Sequence, residues 1–327
     1  MREASYYLKK AGGTVQCRLC PQSCTLKPGQ VGICLNKQNR EGALYAHRYG
    51  EITALSLDPM EKKPLYHFYP GRRILSVGTI GCNLACVFCQ NYHLVTDAAT
   101  TERATPEDLL RAVRRQDTVG LAYTYNEPYI AFEFVLDTAK LVREAGYKNV
   151  LVTNGFYNPE PFAELLPYVD AMNIDLKSIR DEFYKKYSKA RLAPVQRAIE
   201  QASQGCLVEV TNLLITGLND SDEDIRDLVD WLASVNRDIP LHFSRYHPMY
   251  KMDRPPTPEE RLRRAYEIAK EKLTYVYVGN ISLELGEDTD CPHCGAKLVR
   301  RQGYAVKIAK LHGSKCGACG QAVPFIS

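Results

Sequence analysis

Three cysteines lie close together at a spacing that could hold a metal cluster. They are Cys82, Cys86 and Cys89, in the pattern C-x3-C-x2-C, and they directly follow an apolar run at 74–79. Three thiolates are one too few for a closed tetrahedral zinc site or a fully ligated four-iron cubane. A zinc knuckle or chance clustering is the alternative, but no fourth cysteine is nearby in sequence. The spacing therefore predicts a catalytic [4Fe–4S] cluster with one iron open to a ligand.

An aromatic residue, Phe88, directly precedes the third cysteine, and the whole loop resembles the radical S-adenosylmethionine (SAM) superfamily. The resemblance implies that the open iron binds the amine and carboxylate of SAM. An electron from the cluster would then break the sulfonium C–S bond and release a 5′-deoxyadenosyl radical. The resemblance also implies a reductant, such as ferredoxin or flavodoxin, as a partner.

The elements that must position this loop alternate along the chain from residue 74. Short β-branched runs alternate with helical patterns, which predicts β/α units and a parallel sheet. About six such units are too few for a closed eight-stranded barrel, so the predicted fold class is α/β with a partial (β/α)6-type barrel. The predicted strands are 74–79, 119–125, 149–153, 171–176, 207–214, 240–246 and 275–279, and the predicted helices are 106–115, 129–145, 159–166, 179–187, 194–204, 221–235 and 258–272.

Polar residues occupy the end of each predicted strand. In parallel β/α barrels the chemistry gathers at the carboxyl ends of the strands, so these residues should meet near the cysteine loop. One strand end, Tyr125-Asn126-Glu127, resembles the SAM-anchoring motif of the superfamily, which is usually Gly-Gly-Glu. The resemblance implies that Glu127 holds the methionine ammonium. Asn126 stands where the motif has a glycine.

Further strand ends resemble motifs of the pyruvate formate-lyase activating enzyme group, in which the matching lysine and histidine line the cofactor site. The resemblance implies that Lys177 could pair with the methionine carboxylate through a charge-assisted bond. The predicted cofactor-binding residues are Phe88, Asn126, Glu127, Thr153, Asn154, Asp175, Lys177, Asn212 and His247.

Four cysteines precede the barrel, in a predicted metal-binding module at residues 1–45. Cys17, Cys20, Cys24 and Cys34 lie among glycines and prolines that permit tight turns. Their spacing fits a four-ligand metal site better than free surface thiols. Zinc and a second [4Fe–4S] cluster both fit this spacing. Zinc is slightly favoured, because a redox-inert ion would stabilise a module too small for a core of its own.

The C-terminal segment, 286–327, carries two C-x2-C-G knuckles on either side of a predicted hairpin. Cys291 and Cys294 belong to the first knuckle, and Cys316 and Cys319 belong to the second. Four thiolates complete a tetrahedral shell, so the pattern predicts a zinc ribbon, with rubredoxin-type iron as the alternative. The barrel then occupies residues 46–285.

A proline-rich loop at 58–71 lies between the N-terminal module and the barrel. Its prolines argue against a helix. His67 or the pair Lys62 and Lys63 could reach a substrate, but packing beneath the barrel is the favoured interpretation, and no role is assigned to them.

Composition restricts the remaining classes of function. With 42 basic and 38 acidic residues, the net charge of +4 indicates no nucleic-acid-binding field. No apolar run approaches the roughly 18 residues of a membrane span. The twelve cysteines, their C-x2-C spacings and a start without a signal-peptide pattern predict a reducing, cytoplasmic location.

From about Cys17 to its end, the chain looks like the radical SAM enzymes of the AmmeMemoRadiSam system, through the segment 62–68, the catalytic loop and both flanking cysteine sets. That resemblance implies Memo-like and Amme-like partner proteins and brings no established substrate. An alternative is a glycyl-radical-enzyme activating enzyme that acts on a protein glycine. A metal-stabilised binding module is a third hypothesis, disfavoured because such a protein has no need of Glu127, Lys177 and an open-site cysteine loop together.

Overall fold

Two small antiparallel sheets form the N-terminal module in the computed structural model, which describes residues 2–96 and 98–327. Its strands are β1 (Arg2–Glu3), β2 (Tyr7–Lys9), β3 (Val15–Cys17), β4 (Thr25–Leu26), β5 (Lys37–Arg40), β6 (Ala43–Ala46) and β7 (Glu51–Ile52). Strand β6 lies between β1 and β5, and β3 lies between β2 and β4. Cys17 is the last residue of β3, and Cys20, Cys24 and Cys34 lie in the connections between the strands.

An eight-stranded sheet forms the centre of the molecule. The strands that follow the module are β8 (Ala54–Pro59), β9 (Arg73–Gly78), β10 (Glu102–Arg103), β11 (Gly120–Tyr123), β12 (Lys148–Thr153), β13 (Ala171–Asp175), β14 (Leu207–Leu214), β15 (Leu241–Arg245) and β16 (Val276–Gly279). Strand β10 pairs with β7, and the others form one sheet in the order β16-β15-β14-β13-β12-β11-β9-β8. All neighbours are parallel except β8, which runs antiparallel to β9. The mostly parallel α/β sheet is confirmed, whereas the sequence analysis missed β8.

Seven α-helices follow the parallel strands and give six β/α units before the last strand. They are α1 (Pro106–Arg114), α2 (Phe132–Glu144), α3 (Pro159–Leu165), α4 (Asp181–Phe183), α5 (Leu192–Ala202), α6 (Asp222–Asn236) and α7 (Glu259–Lys270). The side chain of Thr105 caps α1 by accepting from the Asp108 backbone N–H. Predicted helix 179–187 is wrong in detail, because α4 gives way to a π-helical turn, Tyr184–Ser188. None of the helices in the described ranges is long and apolar enough to cross a membrane.

The loop at residues 60–71, which we call the plug, fills the inside of the curved sheet near its base. It begins with a 3-10 turn, Met60–Lys62, and contains no α-helix. Polar bonds fix its path, since Asn173 Nδ2 donates to Pro64 O (2.8 Å) and the His67 backbone N–H donates to Glu209 Oε1 (2.7 Å). The apolar contacts of the plug join Met60, Leu65 and Phe68 to Ile74, Ala122, Val150 and Ala171. The prediction that this loop packs beneath the barrel is therefore confirmed for His67, which is fully buried.

The C-terminal segment covers the base of the sheet, opposite the ends that carry the cysteine loop. Its strands are β17 (Thr289–Asp290), β18 (Lys297–Gln302), β19 (Ala305–Ile308), β20 (Leu311–His312) and β21 (Lys315–Cys316), with β18 and β19 forming the predicted hairpin. The Phe325 ring stacks on His67 with centroids 4.1 Å apart, and the Ile326 N–H donates to His67 O (2.9 Å). Residues 286–327 are thus joined to the barrel through the plug.

Candidate functional site

A cavity of about 530 Å³ opens at the carboxyl ends of the parallel strands. This volume lies in the range of small-molecule sites. Ten of the residues predicted from the sequence line it together: Cys82, Cys86, Phe88, Cys89, Asn126, Glu127, Thr153, Asn154, Asp175 and Lys177. The convergence of these strand ends on one cysteine loop is therefore observed.

Asn126 holds the start of the cysteine loop in place. Its Oδ1 accepts from the Thr79 backbone N–H (3.0 Å), and its Nδ2 donates to Thr79 Oγ1 (2.9 Å) and to Gly81 O (2.9 Å). Gly81 has a φ of +91°, and a Cβ at this position would clash with the carbonyl oxygen of Cys34. The residue that replaces the motif glycine is thus a structural clamp on the catalytic loop.

Polar groups surround the three sulfur atoms of the loop. The Leu84 backbone N–H donates to Cys82 Sγ (3.4 Å), Asn154 Nδ2 donates to the same sulfur (3.6 Å), and Cys86 Sγ lies 3.2 Å from Ser188 Oγ. Burial raises the pKa of all three thiols, most strongly at Cys82, where the Glu127 charge adds to it. Thiols of this kind become deprotonated when they bind a metal group. N–H donors beside sulfur fit an iron–sulfur cluster.

The Glu127 carboxylate joins the ends of β11 and β12. Its Oε1 accepts from Thr153 Oγ1 (2.7 Å) and from the Tyr129 N–H (3.1 Å), and its Oε2 accepts from the Asn154 N–H (2.8 Å). Burial raises the pKa of Glu127 to about 7, although these three bonds favour the charged form. An ionised carboxylate can accept about four hydrogen bonds, so one acceptor position remains for a ligand.

Asp175 and Lys177 form an ion pair beside the cysteines. Lys177 Nζ donates to Asp175 Oδ2 at 2.8 Å. Burial on its own would lower the pKa of Lys177, but the Asp175 carboxylate outweighs it and raises the pKa above its usual value. The lysine therefore stays protonated and presents a cation to the cavity.

The sequence analysis missed a second group of charged residues at the floor of the cavity. Lys63, which lines the cavity with Lys62, is fully buried and donates to Asp58 Oδ2 (2.7 Å). The Tyr125 hydroxyl donates to the same oxygen, and Lys63 Nζ lies 4.6 Å from the centroid of the Tyr125 ring. The lysine pair, to which the sequence analysis assigned no role, therefore both packs against Asp58 and lines the cavity. The two adjacent lysines were the only sign of this group in the sequence. The sequence pattern does not indicate that Tyr125 adopts a positive φ (+73°).

Two predicted residues lie outside the cavity lining. Side chains alternate along a strand, so Thr211 and Leu213 of β14 line the cavity, while Asn212 between them donates to Leu176 O (2.7 Å). His247 lies two residues beyond the end of β15 and is half-buried outside the lining. Ser244 and Thr211 line the cavity instead. The Thr211 Oγ1 is buried and has no hydrogen-bond partner within the described ranges 2–96 and 98–327.

The remaining cysteines form two groups with different geometry. Cys291 Sγ lies 3.7 Å from Cys319 Sγ, and Cys294 Sγ lies 3.8 Å from Cys316 Sγ. These four are the one group of three or more possible metal ligands, among residues 2–96 and 98–327, whose ligand atoms all lie within 4.8 Å of one another. The four N-terminal cysteines instead line a separate small cavity of about 10 Å³. All twelve cysteines are free thiols, and Cys206, which belongs to neither group, is half-buried.

Comparisons with known proteins agree with this geometry. The model of the radical SAM superfamily matches residues 76–232. An uncharacterized protein of Methanocaldococcus jannaschii is 42% identical over 335 aligned residues, which cover all of both chains. The pyruvate formate-lyase-activating enzyme of Clostridium pasteurianum is 26% identical over 178 residues, or 52% of this chain and 73% of that protein. A solved domain of pyruvate-formate lyase-activating enzyme from Bacteroides vulgatus has a TM-score of 0.44 and 21% identity, covering 49% of this chain and 99% of that one.

The fold and the site define an α/β protein with a three-cysteine loop at the carboxyl ends of a parallel sheet. Residues 76–232 belong to the radical SAM superfamily, and the relatives of the chain include activating enzymes of the pyruvate formate-lyase type.

Proposed function

We propose that the protein cleaves SAM reductively and uses the resulting radical to abstract hydrogen from a substrate. The observation that carries this proposal is the meeting of the three loop cysteines with Glu127 and Lys177 in one cavity. When bound, a [4Fe–4S] cluster with SAM supplies a 5′-deoxyadenosyl radical after one-electron reduction. The protein's own task is to hold, orient and shield these groups.

Each end of the methionine part of SAM has a suitable partner in the cavity. Glu127 has one free acceptor position for the ammonium group, and its other bonds fix the orientation of the carboxylate. Lys177 can donate to the carboxylate of SAM while it keeps its bond to Asp175, because an ammonium group has three donors. The unpaired hydroxyl of Thr211 and the neighbouring Ser244 offer further polar contacts to the cofactor or the substrate.

The test of this proposal is Cys86→Ala, with Cys206→Ala as the matched control. Anaerobically purified protein, reduced with dithionite, is expected to convert SAM to 5′-deoxyadenosine and methionine. Cys86→Ala should lose the iron of the catalytic loop and this conversion, whereas Cys206, which lies outside the cavity, should be replaceable without loss of either. Full cleavage by the Cys86→Ala protein would contradict the proposal.

We assign the protein, within this proposal, to the AmmeMemoRadiSam system, with Memo-like and Amme-like proteins as partners and a flavodoxin or ferredoxin as reductant. The segment 62–68 and both flanking cysteine sets support the assignment. A glycyl-radical activating role is the second candidate, supported by the 26% identity to pyruvate formate-lyase-activating enzyme. A stable protein radical, seen by electron paramagnetic resonance after incubation with a glycyl-radical enzyme, would favour that second role.

Zinc is the metal that we propose for the four C-terminal cysteines. Tetrahedral zinc with Zn–S bonds of about 2.3 Å requires sulfur atoms about 3.8 Å apart. The two sulfur separations of 3.7 and 3.8 Å support this assignment. Residues 286–327 would then be a zinc ribbon, alongside an N-terminal module at 1–45 and a barrel at 46–285.

A further inference from the structure

The four N-terminal cysteines are spaced more widely than the four C-terminal ones. Within the described residues, only the C-terminal cysteines bring three or more ligand atoms within 4.8 Å of one another, and Cys17, Cys20, Cys24 and Cys34 do not. A tetrahedral zinc ion would draw its sulfur atoms to about 3.8 Å. The same chain therefore contains one cysteine site that matches a mononuclear ion and another that does not.

The N-terminal thiols nevertheless face one common space. All four line the cavity of about 10 Å³, together with the apolar side chains of Leu19, Leu26, Ile33 and Ile130. That volume admits roughly one water-sized sphere, whereas sulfur atoms in contact with zinc leave no such space. A four-iron cubane carries an iron at each of four corners, so its thiolates stand farther apart, at roughly 6 Å. The wider arrangement around a central space fits a cubane.

The charge near these thiols also suits a cluster. Lys37 lines the cavity, and its side chain is only 2% exposed. Its Nζ forms an ion pair with the equally buried Glu133, which holds the lysine in place. The pair is neutral as a whole, but only Lys37 of the two lines the cavity, so its ammonium group is the charge that faces the thiolates. A nearby ammonium group favours a buried anionic cluster.

This site directly adjoins the catalytic loop. The carbonyl oxygen of Cys34 packs so closely on Gly81 that no side chain fits between them, and Gly81 is the residue before Cys82. Gln22, which lies between two of the N-terminal cysteines, donates from Nε2 to the Asn83 backbone oxygen (2.9 Å). The segment that carries the N-terminal cysteines thus contacts the backbone of the catalytic loop directly, on both sides of Cys82.

We propose that Cys17, Cys20, Cys24 and Cys34 hold a second [4Fe–4S] cluster that passes electrons to the catalytic cluster. A reductant of the flavodoxin or ferredoxin class gives one electron to the second cluster, which changes from the 2+ to the 1+ state. The cluster returns to 2+ as the electron moves on to the catalytic cluster, and no atom is transferred. The relay role rests on the proposed function, whereas the identity of the cluster does not.

Metal analysis of the unaltered protein tests the identity of the cluster. Anaerobically purified and reconstituted protein should contain about eight iron and eight sulfide atoms per chain, with one zinc. A Cys20→Ser, Cys24→Ser double variant should lose about half of the iron and keep its zinc, and Cys206→Ser should keep both. About four iron atoms with two zinc, or with one zinc and free N-terminal thiols, would overturn the proposal even if the double variant did not fold.

A comparison of two reductants tests the relay. The rate of SAM cleavage driven by reduced flavodoxin, divided by the rate driven by dithionite, should fall at least tenfold in the double variant. Dithionite is small enough to reduce the catalytic cluster directly. An unchanged ratio would overturn the relay role. If unaltered protein with full iron content cleaves no SAM with either reductant, the proposed function fails while the metal counts still decide the identity of the cluster.

Discussion

Single residues of the site were predictable from the sequence where they belong to a local motif. They were not predictable where the direction of the side chain determines whether a residue lines the cavity. Cys82 and Glu127 belong to local patterns, so their types and spacing sufficed. Thr211 and Asn212 are adjacent polar residues at one strand end, and only the register of β14 decides that Thr211 lines the cavity. Sequence patterns give strand ends to within a few residues, which is too coarse to choose between neighbours on opposite faces.

Glu127→Gln should weaken SAM binding by about 1.5–3 kcal/mol, or roughly 10- to 150-fold, because it removes a charge-assisted contact to the ammonium group. The amide would also place a donor against one of the three donors that Glu127 now accepts, so a modest drop in melting temperature is expected. Calorimetric titration with SAM measures the affinity, and iron analysis should show the cluster retained. Glu200→Gln, at an exposed position, is the control. Equal SAM affinity in the two variants would contradict the role of Glu127.

Elements were predictable where their signals are local. The parallel strands show as β-branched runs, and α1 begins at a capping pattern that the sequence displays. Strand β8 and the plug were not predictable in this way. Strand β8 pairs with the nearby β9, but the proline-rich loop between them hides the pairing. The position of the plug depends on partners more than a hundred residues away. The bond from the His67 N–H to Glu209 and the bond from Asn173 to Pro64 O are examples. Such contacts produce no periodic pattern of apolar residues in the sequence of the loop.

The plug should make the fold sensitive to acid. Burial lowers the pKa of His67 to about 4, from 6.5, against the opposing charge of Glu209. Below pH 6.5 the unfolded chain therefore binds a proton that the folded protein excludes, and stability falls as the pH drops towards 4. The shift corresponds to about 3 kcal/mol across this window.

Urea unfolding between pH 7 and 5 measures this effect. Burial alone would raise the pKa of Glu209, but His242 outweighs it and lowers that pKa, so Glu209 loses its contribution only below about pH 4.5, outside this range. His67→Gln should be less stable at pH 7, with a flatter dependence on pH, whereas His93→Gln, at an exposed position, should keep the original slope. A slope in His67→Gln equal to that of the unaltered protein would show that another group is responsible.

At the scale of the whole molecule, the C-terminal segment is a part of the barrel's base. Arg301 and Glu61 are both fully buried, and Arg301 Nε lies 3.6 Å from Glu61 Oε1. Arg301 also donates to Tyr66 O (2.7 Å) and lies 4.2 Å from the centroid of the Tyr66 ring. The sequence predicted the ribbon from its cysteines, but its place on the barrel depends on contacts such as this buried arginine and the stacking of Phe325 on His67, which the cysteine spacing does not reveal.

Arg301→Met should destabilise the protein by about 3–5 kcal/mol, because it leaves the Glu61 carboxylate buried without its cation. The neighbouring Arg300→Met, at an exposed position, should cost little. The double variant Glu61→Met, Arg301→Met should recover most of the loss, since it removes both charges together. Urea unfolding gives these free energies. Equal effects of the two arginine substitutions would refute the special role of Arg301.

The plug also has a consequence for the order of events in catalysis. The plug and the C-terminal segment close the base of the sheet. Under the proposed function, SAM, substrate and products would therefore enter and leave at the carboxyl ends of the strands, where the cavity opens. SAM must occupy the inner position against the loop, and a substrate bound outside it would obstruct its exit. Under the proposed function, turnover then follows a compulsory order in which SAM binds first and its fragments depart last.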